Sequence, residues 1–494
     1  MAACTAGRPE LASEVALHFE EGRNYEQATR CLMLTAENAA RRFAHRDSIQ
    51  VLQHALELTL SLTTAARIQT EVQILQRIGD AHYALAAMSD AFVAYESAAA
   101  RAAEAGLGKA RIDALAHLAF PAWYLNPARG NEICEQAIEA SRVHGDALLL
   151  AQRQLAGGCF RLLYNGWRNE DAEVCASAHL TIRRLNGASI PEDLLYAYVQ
   201  AIQGDYEGAL EKAEAGLIAR TTSAAWLLAL RVKSLSLMLR GRFGESLGIV
   251  RTGRELARKN GENLRDPWIF ILREVWLRAL CFDFEGVREL SKLIMSSEAE
   301  QAVAEPGAIA RIASGYTELY RGNYAEALQS FAQIRVRETT PGFFLHWHWR
   351  MHARLGLSET RLQAGDIPNA RLEVDDFLNS ALSMAEPNMQ ALAWETKARV
   401  AEAEKNSSGA RQCIESALAI LDRFEIPVSA WRVHATAWDL YGGEGEYERA
   451  EGHRARAKEV IMRIADSFEQ GEPLRESLLT AAPVLRIFGH SASA

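Results

Sequence analysis

The sequence predicts an all-α protein built as an α-solenoid of about eleven antiparallel helix pairs with a period of ~40 residues. Three observations support this fold class. A helix–turn–helix signature recurs along the chain, the spacing between its copies is nearly constant, and no run of alternating β-branched residues is long enough for a strand. Apolar residues make up 49% of the chain, which is enough for a continuous core.

The clearest copy of the signature occupies residues 319–328. Gly322 can adopt the left-handed backbone that ends a helix without steric cost. Asn323 follows as the N-cap of the next helix, and Glu326 stands three residues later, as in a capping box. An apolar stripe at helical spacing begins at Tyr324. These ten residues therefore predict a helix end, a tight turn and a helix start.

The spacing of the copies indicates a stacked repeat. Turn glycines recur after 37 residues from Gly204 to Gly241 and after 43 residues from Gly322 to Gly365. Further copies lie around Phe282, Gly445, Ser408, Gly22 and Gly166. Ordering the backbone costs about 1–2 kcal/mol per residue, more than one isolated hairpin gains from burial. Neighbouring hairpins must therefore share their apolar faces.

Taken in order, the helices divide into three predicted regions. Residues 1–120 contain N-terminal helical repeats, with helices expected at 9–21, 25–44 and 46–62. Residues 121–470 form the main solenoid, after an irregular stretch at 120–127, with longer loops expected at 186–191 and 296–306. Residues 471–494 contain a capping helix that starts after Pro473 and a frayed tail at 490–494.

Composition excludes several functional classes. A net charge of −9 disfavours direct binding to nucleic acid. The most apolar window, residues 224–239, contains Arg231 and Lys233, so no membrane span is expected. Seven scattered cysteines without CxxC spacing, and an N-terminus without signal-peptide features, predict a reduced, cytoplasmic protein.

Two sets of short segments resemble a known family. They are PELA at 9–12, ALHFEEGR at 16–23, AENA at 36–39 and RFAHR at 42–46, and ALAWE at 391–395, AWRVHAT at 430–436 and EPLR at 472–475. Both sets resemble the tetratricopeptide-like C-terminal sensor region of bacterial P-loop ATPase transcriptional regulators and adenylate cyclases. The resemblance implies a right-handed superhelix and a bacterial signalling or transcription-regulatory role. In that family an ATPase and an output domain precede the repeats.

The chain departs from that family in one respect. No G-x-x-x-x-G-K-[ST] motif occurs, and the nearest string, GLGKA at 106–110, lacks the leading glycine and the hydroxyl residue that phosphate and Mg²⁺ require. No DNA-binding helix-turn-helix domain precedes the repeats. We therefore expect a sensor region alone, with no ATP hydrolysis, no cofactor and no enzymatic activity.

The histidine-rich string at 346–352 is the strongest candidate for a metal site. His348 and His352 share a helix face, as ligands do. The nearest carboxylate on that face, Glu359, lies about 10 Å further along the axis, too far for the same metal. We therefore expect a packed helix and no metal.

Other chemistry-bearing residues favour structural roles. Asp375 and Asp376 could begin a Mg²⁺-diphosphate motif, but no second carboxylate motif accompanies them. Cys281 has no evident base partner and is expected to be a core thiol. A row of arginines at 350, 354 and 361 is typical of a solvated helix face.

Recognition without catalysis is the leading hypothesis. The first helix of each pair lines the concave surface of a tetratricopeptide-like stack, and aromatic and arginine side chains there make good anchors. The candidate partner-binding residues are Tyr198, Trp276, Arg278, Tyr316, Glu318, His348, His352, Trp394, Lys397, Trp431 and His434. The expected partner is a protein or peptide, such as an ATPase or output domain supplied in trans. The alternative is a small-molecule inducer held by the superhelix.

Overall fold

A computed structural model describes residues 11–219, 223–260, 265–296, 304–336 and 345–489. Within these ranges the chain forms 25 α-helices, a short 3-10 turn at Thr59–Ser61, and no strand. Consecutive helices pack against each other along the whole chain. The predicted all-α helical-repeat solenoid is therefore confirmed.

The helix bounds follow the chain in order. The first nine helices are α1 Ala12–Glu21, α2 Tyr25–Arg41, α3 His45–Leu58, α4 Thr64–Ala84, α5 Met88–Glu104, α6 Gly108–Leu125, α7 Pro127–His144, α8 Ala147–Tyr164 and α9 Asn169–Asn186. The next eight are α10 Ile190–Ile202, α11 Tyr206–Ala219, α12 Ser223–Leu239, α13 Phe243–Asn260, α14 Arg265–Leu280, α15 Phe284–Met295, α16 Ala304–Tyr320 and α17 Tyr324–Val336. The last eight are α18 His346–Gln363, α19 Ile367–Leu382, α20 Pro387–Ala403, α21 Ser407–Leu421, α22 Pro427–Gly443, α23 Tyr447–Asp466, α24 Pro473–Thr480 and α25 Ala482–Phe488.

The turns between paired helices have the geometry that the signature predicts. Gly204 and Gly322 adopt φ values of 87° and 81°, in the left-handed region that glycine tolerates best. Other copies use another residue there, such as Lys405 with φ 62° in the copy at Ser408. Phe282 has φ 62°, and in the first copy Arg23, rather than Gly22, has φ 54°. The turn is therefore kept even where the sequence supplies no glycine at its left-handed position.

Side-chain caps fix the start of several second helices. Asn24, Asp205, Asp283 and Asn406 each accept a hydrogen bond from the backbone N–H three residues later, at 3.0–3.3 Å. Each cap satisfies one of the N–H groups that the first helical turn leaves without an intrahelical partner. These residues occupy the position that the signature assigns to an N-cap.

Apolar side chains of the described residues join the hairpins into three clusters, of which the smallest contains Ala370, Val374 and Val400. The largest cluster extends from Val72 to Ile487, and a second one lies between Ala16 and Ala94. In the largest cluster the ring of Phe331 is fully buried and packs against Gly315 and Gly356, where a side chain would collide with it. Small residues on one helix thus make room for large residues on its neighbour.

Residues of one superhelical turn also contact residues of the next turn. Trp347 Nε1 donates to the carbonyl of Leu162 at 2.7 Å, a sequence separation of 185 residues. Asn388 Nδ2 donates to the hydroxyl of Tyr206 at 2.9 Å, a separation of 182 residues. We call these turn-to-turn contacts the seam.

Three more contacts extend the seam toward the C-terminus. Arg240 pairs with Glu425 at 3.3 Å. The backbone N–H of Gly244 donates to Ser467 Oγ at 3.0 Å. Arg251 binds both carboxylate oxygens of Glu472, at 2.8 and 3.0 Å. The solenoid therefore closes on itself instead of remaining an open coil.

Some predicted boundaries were wrong. The loop expected at 186–191 is only three residues long, because Pro191 fits the first turn of α10, where its missing N–H costs nothing. The expected single capping helix is two helices, α24 and α25, separated by the extended residue Ala481. The predicted helices at 9–21, 25–44 and 46–62 are α1 to α3, with ends that differ by a few residues.

Two predicted features fall wholly or partly outside the described residues. These are the frayed tail at 490–494 and most of the loop expected at 296–306. The division into residues 1–120, 121–470 and 471–494 stays a prediction. Helix α6 continues through residues 120 and 121.

Candidate binding groove

A large open cavity lies on the concave side of the C-terminal half. Its volume is about 1130 Å³, and we call it the groove. Helices α16, α18, α20 and α22, the first helices of four successive pairs, supply much of its lining, and α24 and α25 form a wall opposite them. First helices thus supply much of the groove lining, and their expected role as a concave binding surface stays a prediction.

One wall of the groove is aromatic. Phe282 contacts Tyr320 edge-on, with ring centroids 5.0 Å apart, and Phe284 stacks on Tyr320 at 5.8 Å. Trp431 approaches Phe282 at 6.5 Å. The left-handed turn at Phe282 places these rings at the groove, so the departure from glycine there coincides with an aromatic lining.

The groove also contains a cluster of four charged side chains, Glu359, Glu395, Arg399 and Arg432, from three adjacent first helices. Arg399 Nη1 lies 3.0 Å from Glu359 Oε1, and Arg432 Nη2 lies 3.2 Å from Glu395 Oε2. Arg432 also pairs with Glu359. The two glutamates are 3% and 1% exposed. We call these four residues the ion cluster.

The ion cluster holds fixed charges. Burial by itself would raise the pKa of Glu395, but Arg432 and Arg399 hold that pKa below its ordinary value. Thr436 Oγ1 also donates to Glu395 Oε1 at 2.7 Å. In return the carboxylates raise the pKa of both arginines against the opposing effect of burial. Glu395, Arg399 and Arg432 therefore remain ionised near neutral pH and are poorly suited to general acid–base catalysis.

The C-terminal wall is held by polar and apolar contacts together. Arg486 on α25 binds both oxygens of Asp439 at 2.8 Å and lies over the ring of Trp438 at 5.3 Å. Arg454 Nε donates to the carbonyl of Ile487 at 2.8 Å. Leu478 on α24 is buried. The two short helices thus form a fixed side of the groove.

A second, smaller cavity of about 80 Å³ lies beside the groove. Trp276, Tyr316, His348, His352 and Trp431 are among its lining residues. The histidine Nε2 atoms are 3.3 Å apart, and the ring of His352 contacts that of Trp276 at 4.4 Å. Burial, reinforced by Arg273, lowers the pKa of His348 to about 3. Both histidines therefore pack as neutral rings.

The predicted partner-binding residues do not form one patch. The five residues just named come together around the smaller cavity, and Trp431 also faces the groove. The other six do not line either cavity; they are Tyr198, Arg278, Glu318, Trp394, Lys397 and His434. Their role in binding stays a prediction.

Contacts explain why several of these residues lie apart. Tyr198 is buried, with the guanidinium of Arg231 5.8 Å from its ring. Arg278 pairs with Glu274, Lys397 with Asp375, and Glu318 accepts from Asn323. Trp394 packs against the core. His434 lies near a different cavity, where its Nδ1 is 3.0 Å from that of His453.

Sequence reasoning missed the ion cluster. Glu359, Glu395 and Arg432 follow each other at 36 and 37 residues, close to the repeat period, so they occupy similar positions on successive helices. A charged residue that recurs at this spacing, on helices that are otherwise apolar, was the sequence signal that could have indicated the ion cluster. Glu359 was considered only as a metal ligand. The described residues contain no group of three or more His, Cys, Asp or Glu side chains placed to hold a metal.

Hydropathy of the helices bears on the membrane question. Among the described residues, no helix combines the length and the apolar character needed to cross a bilayer.

Comparison with known proteins identifies the fold. No family model and no curated protein matches the chain. A crystal structure of Rap protein complexed with competence and sporulation factor is similar at a TM-score of 0.53, with 10% identity, covering 72% of this chain and 99% of that one. The chain therefore has a tetratricopeptide-like helical-repeat fold.

Two other similar structures give lower TM-scores. The APC/C hetero-tetramer Cut9-Hcn1 gives a TM-score of 0.48 at 17% identity and covers 98% of this chain and 88% of that one. A tetratricopeptide repeat protein from Parabacteroides merdae gives 0.30 at 15% identity and covers 58% and 97%.

Proposed function

We propose that this chain is a non-catalytic helical-repeat module that binds a protein or peptide partner in the groove. The observation that carries the proposal is the groove itself, an open volume of about 1130 Å³ with an aromatic wall and fixed, oriented charges. Aromatic rings supply contact area at low entropic cost, and buried ion pairs hold polar groups in place for hydrogen bonding. Such a surface suits recognition.

The similar Rap structure supports a binding role, because that protein is complexed with competence and sporulation factor. In the proposed role the chain acts in the cytoplasm, in a bacterial signalling or transcription-regulatory system. Its partner is an ATPase or output domain supplied in trans, in keeping with the segments that resemble the sensor region of such regulators. Trp431 is the residue that belongs both to the predicted set and to the groove lining.

The second candidate function is sensing of a small-molecule inducer. The observation that favours it is the smaller cavity of about 80 Å³, which adjoins the groove and has a mostly apolar and aromatic lining. A metabolite at a free concentration of 100 times its Kd would raise the free energy of unfolding by about 2.7 kcal/mol. A thermal-shift screen of metabolites detects this role, whereas a module specific for protein partners should show no response.

Photo-crosslinking tests the leading proposal. Ala403 is an exposed groove-lining residue, and Tyr447, which is 72% exposed, lies outside the groove. A photoreactive phenylalanine analogue is placed at either position, and the chain is illuminated in bacterial cytosol. We expect discrete adducts from position 403 and not from position 447.

A variant that fills the groove sharpens this test. Ala403→Trp adds bulk inside the groove, whereas Glu448→Trp adds the same bulk to an exposed position on α23. With the crosslinker at Gln363, which also lines the groove, the first variant should lower adduct yield at least tenfold and the second should not. Equal labelling from positions 403 and 447 would contradict partner binding in the groove. So would an adduct yield from position 363 that Ala403→Trp does not change.

A further inference from the structure

The arginines of the groove already have carboxylate partners. Arg321 Nη2 lies 2.6 Å from Glu285 Oε1, and Arg486 binds Asp439. Arg399 and Arg432 belong to the ion cluster. Each guanidinium on the lining is thus neutralised within the protein. An anionic ligand would have to compete with these internal carboxylates.

Two carboxylates of the groove lack some of the hydrogen-bond or ion-pair partners that they could have. Oε2 of Glu359 has no hydrogen-bond partner among the described residues, although this side chain is only 3% exposed. Glu402 also lines the groove and forms no ion pair within the described part of the chain. Partial burial, and then the charge of Asp439, raise the pKa of Glu402 against the opposing charges of Arg399 and Arg486. Leaving a buried carboxylate oxygen without a hydrogen-bond partner is destabilising, more so than for a neutral group, so a donor from a ligand would be stabilising.

The aromatic wall lies beside Glu359. Burial, and then the charge of Glu359, raise the pKa of Tyr320 to about 12, so the phenol stays neutral and close to that carboxylate. Tyr320 is 38% exposed, which leaves part of its ring open to the groove. A cation over an aromatic face is attracted by the negative potential of the ring. Ring faces and carboxylates together favour a positively charged group.

We infer that the groove recognises a basic segment of its partner, with an arginine or lysine side chain placed between Glu359, Glu402 and the rings of Tyr320 and Trp431. This inference rests on the proposed function and adds the chemistry of the partner. The ligand cation donates to Glu359 Oε2 and Glu402, while its flanking backbone follows the first helices. An arginine suits this role better than a lysine, because its planar guanidinium carries five donors in a fixed arrangement.

Two matched peptide pools test the inference on the full chain. Both are pools of N-acetylated, C-amidated nonapeptides with randomised neutral flanks. One pool carries a central arginine and the other carries citrulline, which has the same shape without the charge. The purified chain is immobilised and retention of each pool is measured. We expect at least tenfold greater retention of the arginine pool at low salt, and a smaller ratio at high salt.

Variants assign the effect to the groove. Glu402→Gln should reduce the ratio of arginine to citrulline retention at least threefold, and Glu359→Gln should reduce it further. Glu448→Gln removes an exposed carboxylate from α23 and should leave the ratio unchanged. Because Glu359 is paired with two arginines, its variant is first checked by thermal melting. Glu402 is exposed and forms no ion pair within the described residues, so its variant breaks no contact of the ion cluster.

The outcomes separate the inference from the proposed function. If both pools are retained equally and Ala403→Trp abolishes retention, the groove binds peptides but does not recognise their positive charge. In that case the inference is wrong and the proposed function stands. If neither pool is retained and crosslinking from position 403 gives no adduct, both fail. If the ratio of arginine-pool to citrulline-pool retention is the same for all the variants, the charge effect arises outside the groove and the inference is wrong.

Discussion

The interfaces between neighbouring hairpins and the seam between superhelical turns are built from different combinations of contacts. Neighbouring hairpins pack through apolar clusters, with rings such as Phe331 fully buried against small residues. The seam combines apolar contacts, such as that between Phe243 and Phe468, with specific polar contacts, among them the bonds from Trp347 to Leu162 and from Asn388 to Tyr206. Apolar packing therefore stabilises both interfaces, and the polar contacts of the seam specify how the stack is wound.

Helix chemistry explains why the seam forms where it does. Leu162 and Leu163 lie in the last turn of α8, where carbonyls have no partner within the helix. The backbone N–H of Leu345 donates to Leu163 at 2.7 Å, and the indole of Trp347 donates to Leu162. Residues from one superhelical turn later thus cap this helix. The comparison suggests four measurements, from the largest expected effect to the smallest.

Removing a ring from a hairpin interface should cost the most. Phe331→Ala leaves a cavity between α16, α17 and α18, and we expect a loss of about 3–5 kcal/mol in the free energy of unfolding, measured by urea denaturation. Phe331→Leu serves as the control and should cost clearly less. A loss below about 1 kcal/mol for the alanine variant would mean that this interface contributes little.

The seam contains a carboxylate that should make stability depend on pH. Glu386 is 1% exposed, and burial raises its pKa to about 7, because backbone and Asn388 donors only partly offset desolvation. The folded state then holds a proton that the unfolded state releases between about pH 4.5 and 7. Rising pH should therefore remove about 3 kcal/mol of stability over this range.

Glu386→Gln should remove that part of the pH dependence, as measured by urea denaturation at several pH values. Glu448→Gln on the exposed face of α23 is the matched control and should follow the unmodified protein. Parallel curves for all three proteins would show that Glu386 titrates normally.

Breaking one capping contact at the seam should have an intermediate effect. Trp347→Phe keeps most of the buried ring but leaves the Leu162 carbonyl without its indole donor. We expect a loss of about 1–3 kcal/mol. Hydrogen exchange should increase at the end of α8 more than at the centre of α18. Uniformly faster exchange would indicate global destabilisation instead.

An exposed ion pair of the seam should matter least. Arg251 is half exposed and binds Glu472 at the start of the C-terminal wall. Arg251→Ala should cost less than about 1 kcal/mol, and the difference from the unmodified protein should shrink at high salt. A larger, salt-independent loss in thermal melting would show that this pair anchors the C-terminal helices.

Local chemistry made the repeat predictable from the sequence. The left-handed turn at Gly322 and caps such as Asp283 are each set by a few adjacent residues, so the helix order could be predicted. The seam could not, because its partners are more than 180 residues apart and depend on the accumulated rotation of several hairpins. The same holds for the groove. Trp431 was predicted to face a partner, but the pairing of Glu359 with Arg432 needed the stacking of three helices.

The left-handed residue Phe282 shows why residue type alone was a poor guide to the site. A glycine there would serve the turn equally well. The structure instead places a ring where it lines both cavities. Positions at which a repeat keeps its backbone but changes its side chain are therefore informative about binding surfaces.

The seam also restricts how this protein can change its length. An open solenoid can gain or lose a hairpin without harm, because each unit touches only its neighbours. Here the insertion of one helical hairpin between Tyr206 and Asn388 would shift the hydrogen-bond donors of the later superhelical turn away from their acceptors in the earlier turn. The number of units per turn is thus locked, so related proteins that keep these contacts should differ in length only beyond the closed segment.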